Sequence, residues 1–112
     1  MIDRVKIGDI WFEIALGVKQ DEERPQAGTG NVNDVVLGEI SYPAARIYID
    51  ETQDKQIMRT TLLHEITHGI LLQAGQFEAT ENEAVITALG YGFAQVIRDN
   101  PALVAYIQGD GA

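Results

Sequence analysis

The 112-residue sequence contains no cysteine, so disulfides and thiolate metal sites are both excluded. Histidine is almost as scarce, with only His64 and His68. Cations are few: 8 Lys and Arg stand against 17 Asp and Glu, a net charge of −9. That balance argues against direct binding to nucleic acid or to an anionic membrane, because both carry the same sign. Nowhere does the sequence hold some eighteen consecutive apolar residues, about the length needed to cross a bilayer. Its start, MIDRVKIGDIWF, carries charge and no apolar run of the signal-peptide type, so a soluble, cytoplasmic chain is expected. Hydrophobic residues at 46% and charged residues at 22% are ordinary globular values. A chain of this length makes one domain, 1–112, with room for a single core.

The first half reads as sheet and loop, residues 1–53. Arg4–Ile7 and residues 10–16 are rich in β-formers and are separated by Gly8-Asp9, the signature of a hairpin. Residues 20–33, QDEERPQAGTGNVN, are polar and hold Pro25, Gly28 and Gly30, which predicts a loop able to overhang a cleft. Residues 34–40 and Arg46–Asp50 are further strand candidates, with Tyr42-Pro43 marking the turn between them. In the second, Ile47 and Ile49 alternate with Arg46, Tyr48 and Asp50, the period-two pattern of a half-buried strand.

From residue 54 to 74 the period becomes helical and stops at Gly75, a suitable C-cap. A second helix is expected over residues 80–99, ended by Asn100-Pro101, and a short helical piece over 102–108. Within the second helix Val85, Leu89, Phe93 and Val96 form an apolar stripe that should be buried. The expected fold class is α+β: a small antiparallel sheet of about three or four strands, followed by two packed helices.

The informative segment lies in the first helix. His64-Glu65-Ile66-Thr67-His68, HEITH, places both histidines of the chain four residues apart, on one helical face. Two imidazoles so placed can hold one metal ion, and Glu65, about a hundred degrees round from His64, can reach a water beside it. This is the H-E-x-x-H arrangement of zinc hydrolases. The flanks Ile57, Leu62, Leu63, Ile70, Leu71 and Leu72 make the helix apolar almost all round, as a buried central helix would be. Burying two His and a Glu unpaired would cost several kcal/mol, which a bound metal offsets. Gly69, directly after the second His, suits a close approach by another backbone or by a ligand.

Catalytic zinc takes three protein ligands and leaves one position open. With no third His and no Cys, the remaining ligand must be a carboxylate, and Glu78, Glu81 and Glu83 are the nearest downstream. Glu78 sits in the turn. Glu83 shares a helical face with Thr87, Gly90 and Tyr91, whereas Glu81 lies on another face with Val85. Glu83 has a competing role, because Thr80-Glu81-Asn82-Glu83 has the form of a capping box.

HEITH, followed by Asn82-Glu83-Ala84 and by Gly90 seven residues after that Glu, resembles the gluzincin metallopeptidases, the thermolysin-like clan. The compact form, with RIYID leading into TTLLHEITHGIL, is similar to small prophage-encoded and ImmA/IrrE-type metallopeptidase domains, and residues 92–101 also resemble the end of short phage-associated proteins of this type. The resemblance covers about the last two thirds of the chain. It implies a zincin-like fold with Zn2+ as cofactor, His64, His68 and Glu83 as ligands, and Glu65 as general base. In many gluzincins the position four after the ligand Glu is an Asp that orients a zinc-bound His. Here it is Thr87, so that support must come from elsewhere, a backbone carbonyl being one source.

The expected function is therefore zinc-dependent hydrolysis of a peptide bond, with an intracellular protein or peptide as substrate; the resemblance points to a regulator of a phage or other mobile element. Tyr91 is a candidate donor to the developing oxyanion, as are Tyr48 and Tyr106. Strand Arg46–Asp50 is a candidate site for pairing with an extended substrate. The other class of reading is a non-catalytic binding module stapled by the metal. Keeping Glu65 argues for the enzyme, since a purely structural site has no use for a base. Two imidazoles and a carboxylate also suit iron or manganese.

Overall fold

A computed structural model describes residues 1–17 and 37–110; the polar stretch 20–33 lies outside the described residues. Strands β1 (Arg4–Ile7) and β2 (Ile10–Gly17) form the expected hairpin, with Ile7 opposite Ile10 across the two-residue turn. Gly8 takes φ +59°, the left-handed conformation that the first turn position needs and that glycine adopts without strain. Strands β3 (Gly38–Ser41) and β4 (Arg46–Asp50) form a second antiparallel pair across a turn containing Tyr42-Pro43.

The sheet order is β1-β2-β4-β3, and β2 runs parallel to β4. The sheet is thus mixed, where all-antiparallel pairing was expected. The reason is topological. Twenty residues separate the end of β2 from the start of β3, long enough for the second hairpin to dock with β4 inward, parallel to β2. This placement also corrects the expected role of Arg46–Asp50: it lies between two strands, and β3 is the edge.

Period-two alternation directs Ile7, Phe12, Ile14, Ile47 and Ile49 to one face of the sheet, where Met58 and Leu62 of α1 (Lys55–Gln73) close the core. Asp54 caps α1, its carboxylate accepting from the Gln56 N–H at 2.8 Å. At the other end Gly75, at φ +73°, allows the Gln76 N–H to reach the Leu71 carbonyl at 2.8 Å and its own N–H the Leu72 carbonyl at 3.1 Å. That is a Schellman closure, and it turns the chain back over α1. Gly69 is approached by side chains rather than by the backbone or ligand expected: a Cβ there would lie 2.9 Å from the side-chain tips of both Ile7 and Ile40. Ile57 and Ile70 remain exposed, so α1 is not buried all round.

The helix expected over residues 80–99 is divided. A single turn, α2 (Phe77–Thr80), precedes α3 (Glu83–Asp99), and α4 (Pro101–Ile107) follows. Asn82 is the N-cap of α3, its side chain accepting from the Val85 N–H at 3.3 Å, so the Thr80–Glu83 capping box does not form. α3 packs chiefly on α1, and α1 on the sheet. The stripe expected to be buried is not: only Ile86 and Gly90 of α3 are buried, while Val85, Leu89 and Phe93 are exposed and Val96 is half-buried. No helix among the described residues is long and apolar enough to cross a membrane.

Candidate metal centre

The i, i+4 spacing on α1 brings the His64 and His68 rings to a centroid separation of 5.0 Å, tilted by 64°. Because Asn82 takes the capping role, Glu83 in the first turn of α3 is free to point back at α1. Its Oε2 lies 3.0 Å from His64 Nε2 and its Oε1 2.9 Å from His68 Nε2. One ligand atom from each of the three residues falls within 4.8 Å of the others. Of the three acidic candidates, Glu83 is the one in this cluster; Glu78 lies within α2 and Glu81 is its C-cap.

The donors fit a divalent cation. His68 Nδ1 is 2.7 Å from Thr80 Oγ1. With the ring donating its Nδ1–H to that hydroxyl, the Nε2 lone pair is left facing a carboxylate oxygen. Two nitrogens and two carboxylate oxygens at this range can share one cation, and without it a proton on each Nε2 can bridge to the carboxylate. Burial, the largest influence on His64, lowers its pKa and so disfavours a proton there; the His68 ring acts in the same direction, and only the Glu83 carboxylate opposes. Ligand atoms on a tetrahedral zinc sit about 3.3 Å apart, given bonds of about 2.0–2.1 Å, so the ligand atoms, which here lie within 4.8 Å of one another, would draw together around the ion.

Glycine sets two of the approaches. A Cβ on Gly90 would stand 3.0 Å from His64 Cα and 3.1 Å from its N, so this glycine lets α3 come close enough to deliver Glu83. A Cβ on Gly38 would meet Thr61 Cγ2 at 2.5 Å and Glu65 at 3.3 Å, so β3 passes directly beside Glu65. The start of β3 is held by Gln53, whose Nε2 donates to the Leu37 carbonyl at 2.9 Å while its Oε1 accepts from the Thr61 hydroxyl at 2.9 Å.

Glu65 is 7% exposed. Burial, with smaller contributions from the negative charges of Glu83 and Glu39, pushes its pKa up to about 8. A dication at the triad acts in the opposite direction.

The tyrosines divide. Tyr48 donates its hydroxyl to the Gly17 carbonyl at 3.0 Å, on the sheet. Tyr106 is exposed on α4. Tyr91, also exposed, lines a cleft of 290 Å³ with Gln56, Ile57, Thr60, Ala94, Gln95 and Arg98. Thr60 precedes His64 by one helical turn, so this cleft adjoins the triad without including it. Thr87 is exposed, and it is Thr80 that meets the His68 ring. That residue escaped the sequence reading because its spacing to Glu83 matched a helix cap; the signal available was only a hydroxyl twelve residues after His68.

The chain is thus an α+β protein with a His64/His68/Glu83 group able to hold a metal ion. Comparison with protein-family models, curated proteins and solved structures finds no match to it.

Proposed function

We propose that this chain is a zinc-dependent metallopeptidase of gluzincin type, hydrolysing a peptide bond in a protein substrate. The observation that carries the proposal is the convergence of the Glu83 carboxylate on the two imidazoles of HEITH at 2.9 and 3.0 Å, with Glu65 buried alongside. His64, His68 and Glu83 would hold the ion, and Thr80 would fix the ring of His68. Bound zinc would polarise the scissile carbonyl and make an attacking water acidic near neutral pH.

Glu65 would take a proton from the attacking water and pass it to the leaving amine. β3 is the last strand in the sheet order and runs beside Glu65. An extended peptide added there would gain main-chain hydrogen bonds next to the base. Tyr91 is the proposed donor to the oxyanion, on the grounds that it is exposed and opens onto the face of α1 that carries His64. A mobile-element regulator as substrate rests on the sequence resemblance alone.

The test pairs metal analysis with Glu65→Gln. Protein purified without chelator should carry or take up one zinc per chain. Wild type should release peptide fragments, read by mass spectrometry from a mixed protein digest, that Glu65→Gln does not. A protein indifferent to zinc, or fragment patterns identical for both forms, would overturn the peptidase reading. One observation favours the second class of function. With only Ile86 and Gly90 of α3 buried, a metal joining α1 to α3 would be a substantial staple. If wild type and Glu65→Gln bind zinc equally and neither cleaves, that module reading stands.

A further inference from the structure

The outer side of α3 is apolar and uncovered by the described residues. Residues 84–97 hold no charged side chain, although the chain carries a net charge of −9. Val85 is 48%, Leu89 40% and Phe93 52% exposed; α4 adds Leu103 at 41%, Tyr106 at 65% and Ile107 at 72%. Together the exposed parts of these six, on two helices in contact, come to on the order of 700 Å² of surface. It approaches the roughly 800 Å² that each partner contributes to a standard interface.

α4 sharpens the point. It is seven residues long, PALVAYI, with no charge, no buried residue and no side-chain cap. It packs chiefly on α3. A helix of this length has no stability of its own in water, so it needs a surface to lie against.

A second copy of the chain matches on three counts. The patch has about the area one partner needs. A two-fold axis gives every apolar residue an apolar counterpart. The acidic charge of the chain is kept off the face, and Arg98 and Asp99 at its end neutralise each other in a 2.9 Å ion pair, so two acidic copies can meet there without opposing like charges.

We propose that the α3–α4 face is the interface of a homodimer, with the α3 stripe and the α4 helix of each copy covered by those of the other. Val85 and Leu89 lie well over a hundred degrees round α3 from Glu83, so the pairing leaves the metal centre open. The inference does not depend on peptidase activity.

Sedimentation velocity of the full chain, with and without zinc, tests it between about 1 and about 200 µM. The expected mass is twice the 12.3 kDa of the chain. Leu89→Glu and Phe93→Glu, both at exposed positions, should each weaken association at least about tenfold while retaining the helical circular dichroism. Because the chain has no cysteine, Leu89→Cys should give a disulfide-linked dimer on mild oxidation, and Lys6→Cys, on the far side of the sheet, should not. That readout holds even if the charged variants fail to fold. A mass of 12.3 kDa throughout, a dimer untouched by both substitutions, or no cross-link at position 89 overturns the proposal. So does a monomer that sediments with phosphatidylcholine vesicles, which would make the face a lipid-binding one.

Discussion

Gly90 of α3 crosses His64 of α1 so closely that a Cβ at position 90 would lie 3.0 Å from the His64 Cα. The contact is with backbone, which cannot swing aside as a side-chain tip can. The separation of the two helices at this point, and hence the reach of Glu83 to the imidazoles, is set by the absence of one methyl group. Gly90→Ala raises the intrinsic helix propensity of α3 by about 1 kcal/mol, yet it must push α3 outward by a few tenths of an ångström. Gly90→Val must push further. We expect zinc affinity, measured by calorimetry, to fall about tenfold for Ala and further for Val, with helix content retained. Unchanged affinity in both variants would show that the helix separation does not set the ligand geometry.

The carboxylate candidates separate cleanly. Glu83 meets both imidazoles, whereas Glu81 caps the short α2. Glu83→Gln removes the negative ligand and should lower zinc affinity by roughly a hundredfold or more, beyond the loss typical of an outer partner. Glu81→Gln should leave it within about twofold. Equal effects, or the reverse order, would reassign the third ligand.

Thr80 tests how the site is supported. Its hydroxyl lies 2.7 Å from His68 Nδ1, a contact that can accept the Nδ1–H and leave Nε2 free for a metal. Thr80→Val keeps the shape and removes the oxygen, and a loss of about 10- to 100-fold in metal affinity is expected. Thr80→Ser, which restores the hydroxyl, should recover most of it. A Val variant that binds zinc like wild type would mean the ring needs no such partner.

The parts of this architecture that could be read from the sequence are those governed by short-range periodicity. The i, i+4 imidazoles, the alternation of Ile47 and Ile49, the Gly8-Asp9 turn and the Gly75 stop each follow from local geometry, and each occurs where the pattern put it. What escaped depends on partners distant in sequence. The parallel pairing of Ile14 with Ile47 arises from a hairpin docking as a unit, and no local pattern encodes that. The Thr80–Glu83 box had the correct letters, but Asn82 competed for the cap and won, which released Glu83 toward the histidines. The stripe at Val85, Leu89 and Phe93 has the spacing of a buried face; spacing alone does not say which chain buries it.

Glu65 gives the metal-free protein a defined dependence on pH. In the unfolded chain its carboxyl titrates near its ordinary value of 4.5, and in the fold near 8. Between those limits the folded state holds a proton that the unfolded state has lost, so this residue makes stability fall as pH rises from about 4.5 to about 8. Below that window its contribution is fully present; above it the loss is complete, on the order of 5 kcal/mol. His64, whose pKa is lowered by burial, pushes the other way as it loses its proton. The difference between wild type and Glu65→Gln isolates the carboxyl, because the amide does not titrate and His64 is common to both. In chelator, Glu65→Gln should match wild type in denaturation midpoint near pH 5 and exceed it increasingly toward pH 8. Parallel curves for the two proteins across that range would show that Glu65 is ionised in the metal-free fold.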